Sequence, residues 1–197
     1  MKNTLFVITA LLCVLPTILK AQDYRQPVRI FKKGQTDVQL GMGILPTALL
    51  LDRASMKLLP VSIEVNHMLG NRFSLGLFHG QSIAESRPIV SVDGVQQRVT
   101  NHTSRTALKA AWHINSLPNA DFYGGFMLAL TDARFSVDIG DMGYLENHLG
   151  MVRRKTKLTY TGFVGGRYAL TFKWNLFGEF GFGDSILTLG AGYRIAG

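Results

Sequence analysis

The sequence has almost no cysteine, and its single copy, Cys13, lies in an apolar run near the start. Leu11-Leu12 precede it where a lipid-attachment cysteine normally follows small residues, so Cys13 is an ordinary apolar residue. The rest of the chain therefore excludes disulfides, thiol catalysis and cysteine-ligated metals. A long hydrophobic run is also missing. The longest, Leu5 to Leu15, is interrupted by Thr9 and bounded by Pro16, too short for a transmembrane helix. With Lys2 before it and Leu19-Lys-Ala21 after it, this segment has the form of a secretory signal peptide over residues 1–21, cut after Ala21. Any membrane crossing by the remaining chain has to be made by strands.

Acidic residues are scarce as well, 13 against 21 Lys and Arg, for a formal charge of +8. Loss of Lys2 and Lys20 with the signal leaves 19 basic residues against 13, or +6. A secreted chain does not meet nucleic acid, so this excess is either ordinary surface charge or an attraction to anionic lipid head groups.

What the sequence does contain is alternation. In Trp174 to Phe182 one face carries Trp174, Leu176, Gly178, Phe180 and Phe182, and the other Asn175, Phe177, Glu179 and Gly181. A period of two is the period of a strand. Ser185 to Ile195 and Leu158 to Tyr168 repeat the plan, with Gly183-Asp184 as the tight turn between the last two runs. Earlier strands are expected over Val38–Ile44, Val61–Met68, Arg72–Gly80, Thr103–Ile114 and Phe122–Leu130, about eight in all. His79 falls on the apolar face of its strand, either as a polar misfit or because a bulge near Gly80 shifts the register. Residues 22–36 are polar and basic and are expected as a periplasmic leader on the outside of the barrel wall, ahead of a barrel over residues 37–197. Val92-Asp-Gly-Val95 should form a small hairpin inside the connection 84–101.

Alternation alone does not choose the inner face, because a soluble barrel and a membrane barrel are inverse solutions of one pattern. The aromatic residues break the tie. Trp112, Phe122, Tyr168, Trp174 and Tyr193 all lie on apolar faces, at strand ends that share one rim, where amphipathic rings suit a membrane boundary. On this reading Leu108, Ala110, Leu176, Phe180, Leu187 and Leu189 contact lipid. Connections also alternate, long after the first, third and fifth strands and short after the second, fourth and sixth, which puts the long ones outside.

These features resemble the small outer-membrane β-barrels, the OmpA- and OmpX-like family, over about Asp37 to Ile195. The chain differs from that family in running on to Arg194-Ile-Ala-Gly197 where such barrels commonly finish on an aromatic residue. The resemblance implies an all-β, eight-stranded antiparallel up-and-down transmembrane barrel in the outer membrane of a Gram-negative bacterium. It implies no enzymatic activity, cofactor or metal. Partners would be outer-membrane lipid and lipopolysaccharide, with an extracellular ligand meeting the connections 84–101 and 131–155, and the barrel would be a monomer that binds no nucleic acid.

An eight-stranded barrel is filled by its own side chains. Its charged face carries Glu64, Arg105, Lys109, Arg167 and Glu179, and buried charges need partners. Strand direction brings Glu64, Lys109 and Glu179 to one level, with Arg105 above and Arg167 below. The run Arg153-Arg-Lys155 stands at the height of lipid phosphates, and is either a contact to them or, as such runs more often are, a solvated charge run. One catalytic alternative rests on His102-Thr-Ser104, which looks like the His-x-Ser element of outer-membrane lipid A deacylases. Arg105 follows that serine, however, where the enzymes carry Asn, and no downstream carboxylate orients the histidine. Asp138-Ile-Gly-Asp141 lacks the further oxygen ligands of a calcium turn. The other alternative is a soluble lipocalin-like carrier with its apolar face inward.

Overall fold

The computed structural model describes residues 31–51, 54–90, 94, 96–114, 117–140 and 142–197; the expected signal peptide and most of the leader lie outside them. In chain order the elements are β1 (Thr36–Gly43), α1 (Thr47–Leu51), β2 (Ser55–Met68), β3 (Phe73–Glu85), β4 (Ile89–Val90), β5 (Gln96–Ile114), β6 (Ala120–Ile139), α2 (Met142–Leu149), β7 (Arg154–Ala169), β8 (Trp174–Gly181) and β9 (Leu187–Ala196). The sheet runs β3-β2-β1-β9-β8-β7-β6-β5 and closes through β3 and β5, each pair antiparallel. That is a closed eight-stranded barrel, to which β4 adds a two-residue ribbon on the start of β5. No described helix is long and apolar enough to cross a membrane.

The apolar face of every strand points out. Leu40, Leu108, Leu158 and Val164 are each at least 60% exposed, while Gln39, Glu64, Asn66, Lys109, Asp121 and Arg167 are buried. This inverts the arrangement of a soluble carrier. The only described apolar cluster inside is Ala111, Tyr123 and Phe163, with Met127 against it. Small residues let the lumen close: a Cβ on Gly125 would run into the Ala110 carbonyl, and one on Gly190 into the Leu40 carbonyl.

Strand lengths differ from those expected. Strand extends into both expected connections, since β5 starts at Gln96, β6 runs to Ile139 and β7 starts at Arg154, with α2 between the last two; the small hairpin expected at 92–95 lies, Gly94 apart, outside the described residues. Outside an apolar environment the outward face has no reason to stay apolar, so His102, Ser104, Thr106 and Thr156 continue the ladder without an apolar alternation. The wall is tall on this side and low at β1, β8 and β9, of 8, 8 and 10 residues. At His79 the register is unbroken through β2 and β5. The residue is an outward polar position, bonded to Thr106 and Gln81.

Candidate functional site: a charged interior and a basic outer rim

Three tiers of charge occupy the lumen. In the middle, Lys109 Nζ donates to Glu64 Oε2 at 2.7 Å and to both oxygens of Glu179 at 2.7 and 2.8 Å. Glu64, 45 residues away, comes from β2, one strand beyond the β3 neighbour of Lys109, and Glu179, 70 residues away, reaches it across the lumen from β8. Gly76 faces Lys109 across the β3 and β5 ladder and leaves the room into which Glu64 leans; a Cβ there would sit 2.7 Å from Glu64 Oε1. Asn66 donates to Glu64 at 3.2 Å, and the Lys109 ammonium stands 4.4 Å from the Phe163 ring centre. Two carboxylates and one ammonium give this tier a formal charge of −1.

Arg105 and Arg167 do not join the triad. On the outer side Arg105 reaches Asp184 at 3.3 Å and donates to Thr131. Between that pair and the triad lies a cavity of about 60 Å³, bordered also by Gln39, Ser62, Phe177 and Thr188. It has room for about two waters. On the opposite side Arg167 donates to Asp121 at 2.7 Å and to Asp37 at 2.9 Å. His113 bonds Asp121 at 2.7 Å through Nδ1 and Ser74 at 2.8 Å through Nε2. The order Ser, His, Asp is that of a hydrolase triad. Ser74 and Asp121 are nevertheless fully buried and the Ser74 backbone sits in two ladders, so no substrate atom can approach.

Asp37, Asp121, His113 and Ser74 are the functional-site residues the sequence expectations omitted. Their signal was parity: each continues the inward series of its strand, Asp37 before Gln39 and Asp121 before Tyr123. The leader also needs correction at its end. Phe31 and Gln35 are buried inside the rim, not outside the wall. Phe31 stacks 4.0 Å from the Arg167 guanidinium, and Gln35 accepts a backbone bond from Met68. A cation facing an aromatic ring in a dry lumen is a favourable contact that the apolar pattern does not encode.

The outward surface changes character with height. Across β3, β5, β6 and β7 one row is Leu77, Leu108, Leu128 and Tyr160, whereas the row two residues beyond Leu130 and Leu158 is Gln81, Ser104, Asp132 and Thr156. Asp132 accepts from Arg154 Nε at 2.7 Å, from Arg134 Nε at 3.1 Å and from Thr156 at 3.1 Å. These bonds, Arg154's above all, hold its carboxyl down to about 2. The trio Arg153, Arg154 and Lys155 is therefore divided. Arg153 pairs with Glu146 of α2 at 2.7 Å, Arg154 joins Asp132, and Lys155 falls on the alternate face opposite Ala133. Among the described residues His102 and Ser104 share no hydrogen bond. Their cross-strand neighbours are Arg134 and Asp132, and that carboxylate is engaged with the arginines. The second oxygen of a calcium turn at Asp141 lies outside the described residues.

At the other rim Trp112, Phe122, Tyr168 and Trp174 are 36 to 59% exposed on the outer face, and Tyr193 meets Trp174 edge-on at 4.9 Å.

No family model matches the chain, and no curated protein does. Solved structures do. Outer membrane protein OprG from Pseudomonas aeruginosa matches with a TM-score of 0.55 and 11% identity, over 86% of this chain and 100% of that one. A de novo designed transmembrane β-barrel matches with a TM-score of 0.51 and 12% identity, over 83% and 98%. Ail of Yersinia pestis, solved with the heparin analogue sucrose octasulfate, matches with a TM-score of 0.50 and 14% identity, over 83% and 99%. At such identities the likeness is one of architecture, and the architecture of this chain is that of a closed, eight-stranded, all-antiparallel transmembrane-type β-barrel.

Proposed function

We propose that this protein is a non-enzymatic integral protein of a Gram-negative outer membrane, of the OmpA- and OmpX-like kind, delivered there by residues 1–21. The observation that carries this reading is the inversion of the barrel: leucine, valine and phenylalanine outward at mid-height, and Glu64, Lys109, Glu179, Asp37, Asp121 and Arg167 paired inward. In water the outward belt would be a large apolar liability; in a bilayer it is the required surface. The girdle of Trp112, Phe122, Tyr168, Trp174 and Tyr193 marks the periplasmic boundary. The tiers of ion pairs across the lumen support a plugged interior and, with it, a structural or interactive role.

Lipopolysaccharide is the expected lipid partner. Extracellular ligands would meet the strand extensions and α2 in 84–101 and 131–155, the end that carries Arg134, Arg153 and Arg154. A closed barrel leaves no strand edge in the bilayer, which favours a monomer. Cell fractionation with gel mobility before and after heating tests the reading. Outer-membrane recovery and a faster-running unheated band are expected, and recovery as a soluble periplasmic protein would overturn it.

A further inference from the structure

We infer that hydrated head groups of the outer leaflet descend on the outer face of β3 and β5 to His79, Gln81 and Thr106, so that the barrel thins the membrane on one side. The inference rests on the membrane-barrel reading. It starts from depth, which in a tilted barrel differs from cross-strand pairing. The row of partners that leaves Gln35 at Met68 passes through β3, β5, β6, β7 and β8 and returns to the chain at Leu45, ten residues beyond its start. Ten residues over eight strands is a climb of 1.25 residues per strand in that direction.

Corrected for this climb, the outward residues at the depth of Thr106 are, to within a residue, Leu128 on β6, Tyr160 on β7, Phe182 just beyond β8, Leu187 on β9, Ile44 just beyond β1 and Val61 on β2. All six are apolar or aromatic. On β3 the same depth falls between His79 and Gln81. Leu77 and Leu108 lie below this polar patch, whereas on β6 and β7 the apolar series runs on to Leu130 and Leu158. Leu130 pairs with Thr106, two residues beyond Leu108. With one strand's climb it stands about three residues above Leu108, or ~7 Å of depth at ~3.3 Å per residue and ~45° tilt. The hydrocarbon of one leaflet is ~15 Å, so the step is about half of it.

The patch is not satisfied by itself. Gln81 Nε2 donates to His79 Nε2 at 3.2 Å, which makes the ring Nδ1 the donor to Thr106 Oγ1 at 3.0 Å. The Gln81 carbonyl, its second N–H and the Thr106 hydroxyl hydrogen make no bond among the described residues, and both side chains are exposed. Left in hydrocarbon, such groups cost more than thinning a bilayer, whose penalty per ångström is small. What lies above the patch names its occupant. A polar island ringed by apolar residues would call for a partner within the membrane. This one is open upward: on β5 the outward series goes on from Thr106 through Ser104 to His102, and beside them Asp132 and Arg134 stand on β6. Only Ile83, half-buried, interrupts the series on β3. Head groups and water therefore reach His79 without crossing an apolar barrier.

The test places one nitroxide at a time at Thr106→Cys, Leu128→Cys or Phe182→Cys, each in a Cys13→Ser background, with the barrel in phosphatidylcholine vesicles. Collision rates with a water-soluble nickel chelate and with oxygen report depth. The nickel-to-oxygen ratio should be severalfold higher at Thr106→Cys than at the other two positions, and adding His79→Leu and Gln81→Leu should lower it to their value. Lipid-like ratios at all three positions overturn the inference and leave the membrane reading standing. Water-like ratios at all three overturn the membrane reading itself. Exclusion of both reagents at Thr106→Cys, with spin–spin broadening, would show that a second copy covers the patch and overturns the head-group assignment. An unchanged ratio in the His79→Leu, Gln81→Leu variant overturns the role of those two residues. Heat-modifiable mobility of each variant separates these results from loss of the barrel.

Discussion

Replacing Lys109 by methionine removes the one cation between Glu64 and Glu179 while keeping the length of the side chain. Lys109 is 4% exposed and its ammonium meets both carboxylates at 2.7 Å. In the variant two buried carboxylates would face each other across the lumen with only Asn66 and Tyr123 as donors. Stranding a buried charge by removal of its partner costs about 3–5 kcal/mol. The cavity of about 60 Å³ beside the triad can hold water against the carboxylates, which places the expectation near ~3 kcal/mol, the lower end. The triple variant Glu64→Gln, Lys109→Met, Glu179→Gln removes all three charges and keeps amide hydrogen bonding, so it should cost much less. Guanidinium unfolding in detergent, followed by tryptophan fluorescence from Trp112 and Trp174, measures both. Equal stability of Lys109→Met and the parent would refute the dry, mutually dependent triad, as would a triple variant weaker than the single one.

Three other expectations follow from the same geometry. Arginine in place of Leu108, which is 63% exposed at mid-height, should destabilise the barrel in lipid vesicles by ~2–4 kcal/mol, while arginine at exposed Ser136 beyond the apolar rows should cost little. An unchanged unfolding midpoint for the Leu108 variant would show that this face meets water. Because the Asp132 carboxyl is held down to about 2 by Arg154, Arg134 and Thr156, its ion pairs should persist as pH falls below the ordinary carboxylate value and be lost only as pH passes through the folded value; carboxyl carbon shifts in NMR report this, and titration near 3.8 would contradict it. Purified protein should release no acyl chains from lipid A, and Ser104→Ala should leave that result unchanged; release that Ser104→Ala abolishes would make it an enzyme.

Much of the fold was legible in the residues because a strand repeats every two, and that repeat is local. The runs at Trp174 to Phe182 and Leu158 to Tyr168 could be assigned a strand type and two faces without knowing any neighbour. Rim aromatics added which face was outward, since a tryptophan such as Trp112 among leucines has a place at a boundary that it lacks in a dry core. The inward charges Glu64, Lys109, Glu179 and Arg167 were visible for the same reason. The polar ends of β5, β6 and β7 were not, because beyond the apolar belt the outward face no longer has to be apolar and the period fades while the backbone ladder continues.

Partner choice was decided only by closure. Parity says that Arg167 points into the lumen, but not that Asp37, 130 residues earlier, and Asp121 stand opposite it while Arg105 goes to Asp184. The Asp121 contact follows from the β6–β7 register, where the two residues face each other, but the Asp37 and Asp184 pairings depend on the stagger accumulated around the barrel, which no single strand carries. The same holds for Phe31, whose place inside the rim depends on an Arg167 guanidinium presented by β7 at the far end of the chain. Alternation is a property of one strand and is written along it, whereas the contacts across a barrel belong to the closed sheet and appear only when its last strand pairs with its first.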